Sequence, residues 1–160
     1  MIEPEEIIEA NLVAALVAAD TPLKVVGALA PAEPGEEKRA PLSYVGVAVD
    51  VASQDIDWKG PGCPYTYTAN ISVRVAFADD KTGALLRDTA RVVRGALSAL
   101  TGDGCNGLDG NGFSCDEFLI DSTSTVIETM GDGEGMAKNY TATIKGRNIT
   151  TQNETEATNG

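Results

Sequence analysis

Residues 65–78 read YTYTANISVRVAFA, and their pattern fixes the fold class. Tyr65, Tyr67, Ala69, Ile71, Val73, Val75 and Phe77 alternate with Thr66, Thr68, Asn70, Ser72, Arg74, Ala76 and Ala78. Successive side chains of a strand point to opposite faces, so this period of two predicts a long strand with one buried and one wet face. A strand of this length is also able to reach past its own domain into a neighbouring subunit's sheet. Upstream, Val45, Val47, Val49 and Val51 alternate with Gly46, Ala48 and Asp50, which predicts a second strand. A short apolar segment, Leu23–Leu29, is compatible with another.

The spacing changes on either side of these strands. Ile8, Leu12, Ala15, Leu16 and Ala19 recur at three and four residues, which predicts a helix opened by Pro4, Glu5 and Glu6 and closed at Thr21-Pro22. Leu86, Ala90, Val93, Leu97 and Leu100 form a second stripe, in a helix expected from Thr82 to about Leu100. Downstream, Phe113–Ile127 and Met136–Lys145 read as strands joined by the hairpin connection Gly131-Asp132-Gly133-Glu134-Gly135. Residues 30–41, 52–62 and 101–112 are rich in Pro, Gly or acid and read as loops. Residues 148–160 read as a polar tail beyond a single domain of residues 1–147. The helix stripes need a sheet face to bury against. The expected fold is α+β: a mainly antiparallel sheet with two helices on one face, in the order α-β-β-α-β-β.

Composition narrows the function. The 160 residues carry a net charge of −12, which opposes binding to nucleic acid through phosphate contacts or to an anionic membrane surface. The charge is unevenly placed. Residues 101–135 hold Asp103, Asp109, Asp116, Glu117, Asp121, Glu128, Asp132 and Glu134 without a Lys or Arg. Residues 81–94 carry Lys81, Arg87, Arg91 and Arg94 against Asp88 alone. Arg87, Arg91 and Arg94 run beside the apolar stripe of their helix. There they either cover its margin with their methylenes or form a basic stripe that meets an acidic neighbour. Trp58, the single tryptophan, is either an exposed interaction anchor or a lid over the edge of the core. These four residues are the candidate subunit interface.

No catalytic set is legible, and the chain is not expected to be an enzyme or to carry a cofactor. It has no histidine, which removes the commonest general base and zinc ligand together with every Ser-His-Asp or Cys-His arrangement. Cys63, Cys105 and Cys115 form no C-x-x-C pair, so no structural zinc is expected. The odd count and an acidic N-terminus without a basic n-region point to free thiols in a reducing compartment, with a Cys105–Cys115 bridge as the alternative. The acidic loop 101–116 does not match a helix–loop–helix calcium site. Counted from Asp103, ligand positions 3, 5 and 12 fall on Cys105, Gly107 and Ser114; from Asp109, positions 5 and 12 fall on Phe113 and Ile120. Asp79-Asp80 and Asp116-Glu117 are adjacent acids that point apart, and no phosphate-binding glycine loop follows a strand. The acceptor patterns at Asn70, Asn139, Asn148 and Asn153 read as coincidence in an Asn- and Thr-rich chain.

The segment VRVAFADDKTGALLRDTARVVRGALSAL, residues 73–100, runs from a strand through an acidic turn into an amphipathic helix; FLIDSTSTVIE (118–128) and YTATIKG (140–146) follow. In pattern and order, residues 5–147 resemble the tail terminator and neck-type completion proteins of long-tailed bacteriophages. The resemblance implies a structural virion protein, assembled in the host bacterial cytoplasm. It also implies a homohexameric ring at the head–tail junction that ends tail tube growth and lets DNA pass. The implied partners are other copies of the chain, the tail tube protein and a head-side connector or stopper. The family carries no catalytic residues, and the long glycine-rich loop after the second helix departs from its pattern. The competing expectations are another neck or tail component, such as a head–tail stopper or tube subunit, and a small ion- or ligand-binding domain using loop 101–116.

Overall fold

A computed structural model describes residues 4–28, 42–54, 65–102, 108, 110, 112–130 and 133–148. The order is α1 (Pro4–Ala18), β1 (Val25–Gly27), β2 (Tyr44–Gln54), β3 (Tyr65–Ala76), a 3-10 turn (Phe77–Asp79), α2 (Ala84–Gly102), β4 (Phe113–Met130) and β5 (Gly133–Asn148). The chain is α+β, and the described residues form two α-helices and a five-stranded mixed sheet. The expected order α-β-β-α-β-β is corrected to α-β-β-β-α-β-β. The extra strand is β1, whose three residues are too few to show a period. It exists because β2 holds it in parallel, Val25 facing Val45 and Gly27 facing Val47.

The strands lie in the order β1-β2-β3-β5-β4, and every pairing except β1 with β2 is antiparallel. Register explains the alternation. Val45, Val47 and Val49 of β2 face Val73, Ile71 and Ala69 of β3, and Ile71, Ala69 and Tyr67 face Tyr140, Ala142 and Ile144 of β5. All of these are buried on one face of the sheet and share a single apolar cluster with both helices. The opposite face carries Thr66, Thr68, Ser72 and Arg74. Among the described residues it carries a small apolar cluster of its own, Ala76, Met130 and Ala137.

Helix α1 starts at Pro4, where a missing N–H costs nothing, with Glu5 and Glu6 in the first turn. It ends where Asp20 takes a left-handed φ of 61° and its N–H reaches the Val17 carbonyl at 3.0 Å. Ile7, Ile8, Leu12 and Leu16 are buried, chiefly against β1 and β2. Asn11 is buried too, and its side-chain amide donates to the Leu108 carbonyl at 2.8 Å, holding the connection between α2 and β4 against α1.

Helix α2 is opened from outside its own span. The Asp80 carboxylate accepts the N–H groups of Leu85 at 3.1 Å and Leu86 at 3.0 Å, satisfying donors that have no partner within the helix. Gly83, at φ 79°, makes the bend between them. Ala90, Val93, Leu97 and Leu100 are then buried on the sheet, as the stripe predicted, while Leu86 is half-buried at the margin. The two C-terminal strands outrun their predicted limits, β4 to Met130 and β5 to Asn148, because each continues to pair with the other. No helix among the described residues is long and apolar enough to cross a membrane.

Candidate interaction groove

Alpha-helical spacing puts Arg87, Arg91 and Arg94 on one side of α2, and all three are exposed. Beneath them the antiparallel register of β4 and β5 sets Lys138 opposite Thr125 and Tyr140 opposite Thr123. Helix and strands together bound an open groove with a volume of 610 Å³, lined by the three arginines, Lys138, Tyr140 and Thr125. Leu86 and Ala90 give it an apolar wall, and Gly83, Gly95 and Ser98 keep its rim low. The arginines therefore border an open groove beside the stripe.

Its electrostatics are the reverse of the chain's. Asp88 lies 3.8 Å from Arg91 one helical turn away, an exposed pair that contributes little. Among the described residues, Arg87, Arg94 and Lys138 form no ion pair. The cations of the opposite sheet face differ. Arg74 pairs with Glu128 at 2.6 Å, Lys145 with Glu117 at 3.4 Å and Arg147 with Asp116 at 3.2 Å, so the carboxylates of β4 are committed there. The groove is thus a local region of positive charge on a chain whose net charge is −12.

Tyr140 shapes the floor. Its ring is buried and its hydroxyl donates to the Ala90 carbonyl at 3.3 Å. Burial raises its pKa above 10.0, a shift that the nearby Arg94 cation partly opposes. The phenol therefore stays neutral and acts as an apolar surface with one satisfied polar end.

Beside the groove runs the free margin of β4, at the edge of the sheet. Residues 121–127 are exposed in unbroken succession, so this stretch is covered on neither face. Within it Ile127 is 63% and Val126 40% exposed, directly after the polar run of residues 121–125. Edge strands of this length usually carry devices that prevent pairing with another chain. Here they are two register shifts, at Cys115/Glu117 before the exposed run and at Ile120/Ser122 where it begins, so that residues 122–127 follow both.

Of the predicted interface residues, the structure brings Arg87, Arg91 and Arg94 into one site. Trp58 lies outside the described residues. Lys138, Tyr140 and Thr125 were not singled out from the sequence. Lys138 did carry a signal, because it shares the even-numbered parity of Tyr140, Ala142 and Ile144 and so sets a cation on the buried side of its strand. The free-thiol expectation is corrected for Cys115, which is buried and disulfide-bonded; Cys63 and Cys105 lie outside the described residues. An odd count excludes one bridge partner and not the bridge itself. Most of the acidic loop 101–116 also lies outside, and among the described residues no cluster of Cys, Asp or Glu could hold a metal ion. No protein-family model matches this chain, and no curated protein matches it.

Proposed function

We propose that this chain is a structural, non-catalytic subunit that assembles with copies of itself into a ring, as a tail terminator at the head–tail junction of a long-tailed bacteriophage. The observation that carries the self-assembly is the unlike character of the two sheet edges. One edge is the three-residue β1 beside α1; the other is the eighteen-residue β4, bare over residues 121–127 and flanked by a cationic groove. A contact between two different surfaces of the same chain is heterologous, and such contacts close into rings when the rotation per subunit permits. The virion role rests on the resemblance of residues 5–147 in pattern and order. An acidic ring suits a channel for DNA, since carboxylates repel the duplex and keep it from adhering in transit. The tail tube and a head-side connector or stopper are the further partners in this role.

Native mass spectrometry and light scattering of the purified chain test it. A discrete closed assembly, hexameric by the resemblance, with ring-shaped particles in negative-stain images, is expected as concentration rises. A species that stays monomeric up to millimolar concentration overturns it.

A further inference from the structure

We infer that the occupant of the α2 groove is the outward face of α1 from a second copy of this chain. The inference rests on the self-assembly proposed above and names the surfaces that make it.

Helix α1 is apolar on more sides than its own fold uses. Ile7, Ile8, Leu12 and Leu16 are buried, yet Ala10, Ala14, Val17 and Ala18 on the other side are exposed, Val17 to 59%. Helices apolar all round are normally covered all round, and a surface helix carries charge on its outer face. This outer face has charge only towards its ends, in Glu6 and Asp20, and both are acidic. Between Pro4 and Asp20 there is no Lys or Arg.

The groove has the complementary form. Leu86, Ala90 and Tyr140 supply apolar surface, while Arg87, Arg91, Arg94 and Lys138 supply cations whose one acidic partner among the described residues is Asp88. The helical layer over the sheet is also incomplete there. Thr123, Thr125 and Ile127 of β4 face the same side as the buried Tyr140 and all three are exposed, so that side has room for one more helix next to α2. Alanines at the contact allow two helix axes to approach to about 8 Å, the close end of the usual range. The arginines span about 10 Å along α2 at 1.5 Å per residue, and Glu6 to Asp20 spans about 21 Å, so an acidic end can reach the cations while Ala14 and Val17 meet the apolar wall. Within one chain α1 packs on β1 and β2, so only another copy can bring its outer face here.

The full chain carrying the photo-cross-linker p-benzoylphenylalanine in place of Val17, irradiated at a concentration where it is assembled, tests this directly. Cross-links to residues 83–98 or 123–127 of another copy are the expected result. In parallel, Arg87→Glu with Arg91→Glu should raise the half-assembly concentration by about tenfold or more, and adding Glu6→Arg should recover part of the loss. If the chain assembles but Val17 links elsewhere and the charge reversals leave assembly unchanged, the docking inference is overturned and self-assembly stands. If the chain stays monomeric and no link forms between copies, both fall.

Discussion

The side-chain amide of Asn11 donates to the carbonyl of Leu108 at 2.8 Å, joining the middle of the first helix to a residue 97 positions later. Both residues are buried, and the bond ties Leu108, which lies between α2 and β4, to the first helix. Asn11→Leu removes the donor and leaves a carbonyl in an apolar site, a loss of about 1–3 kcal/mol. Urea titration is expected to show a lower midpoint with an unchanged slope. An unchanged midpoint would show that the connection is held by other means.

The second expectation is a pH dependence. Hydrogen bonds from the backbone of Leu86 and Leu85 hold the Asp80 carboxyl below its ordinary value of 3.8, against the opposing effect of desolvation. A carboxylate with a depressed folded pKa stabilises the fold above its unfolded pKa, and that stability is lost as pH falls through the folded value. Asp80→Ala should therefore cost about 0.5–1 kcal/mol at neutral pH, the low end for a partly exposed cap. The difference from the parent protein should shrink below pH 3.8 and vanish under stronger acid. Parallel unfolding curves across pH 2–7 measure it, and a constant difference would exclude the cap as its cause.

What the sequence disclosed and what it concealed divide by the range of the interactions involved. The alternation survives in the middle of β3 because Ala69 and Ile71 each meet an apolar partner on both sides, Val49 and Val47 from β2 and Ala142 and Tyr140 from β5. It fails at Phe77, which lies in the 3-10 turn and is exposed. Ala90 to Leu100 survives as the buried stripe of α2 because it packs on the same sheet face, with Leu86 half-buried at its margin. The C-terminal strands were harder, since the shifts at Cys115/Glu117 and Ile120/Ser122 reset which side chains of β4 face the helices. Each shift inserts a residue and breaks the period of two. The groove was half legible. The arginine spacing is local to one helix, but Lys138 and Thr125 reach it only because β5 inserts between β3 and β4. That placement depends on strand order, which no local pattern encodes.

Two glycines should respond to alanine with opposite sign. At Gly146 a Cβ would lie 2.6 Å from the Ser114 carbonyl and also meet the Phe113 ring. That ring packs edge-on against Tyr67 with centroids 6.0 Å apart, so it has little freedom to yield. Gly146→Ala is expected to destabilise by about 1–3 kcal/mol. At Gly95, on the rim of the groove, a Cβ meets nothing within 4 Å, and the φ is not positive. Gly95→Ala should stabilise by about 0.4–1 kcal/mol through helix propensity and reduced unfolded-state freedom. Thermal melts of the two variants decide both signs.

The disulfide at Cys115 gives a redox test. The residue begins the edge strand beside the core, so cross-linking it restricts the unfolded chain where β4 enters the sheet. A reductant is expected to lower stability by about 2–4 kcal/mol, the common range for a native bridge. Cys115→Ser should reproduce that loss and remove the sensitivity to reductant. Peptide mapping without reduction identifies whether Cys63 or Cys105 is its partner. A melting temperature indifferent to reductant would mean that the bridge adds nothing to the folded state.

Ile127 separates assembly from folding most sharply. It is 63% exposed on the free margin of β4, opposite Met136 and two residues from Thr125 in the groove. Its removal opens no buried cavity, so Ile127→Lys should change folding stability by no more than about 0.5 kcal/mol. Assembly should respond strongly, because a lysine on an edge strand opposes the addition of a neighbouring chain and places another cation beside four. Light scattering across a concentration series should show the variant dissociating where the parent protein is assembled, while the two unfold in urea at the same midpoint. Equal assembly by both proteins would move the contact between copies away from this edge. A lower urea midpoint alone would mean that Ile127 supports the fold and not the contact.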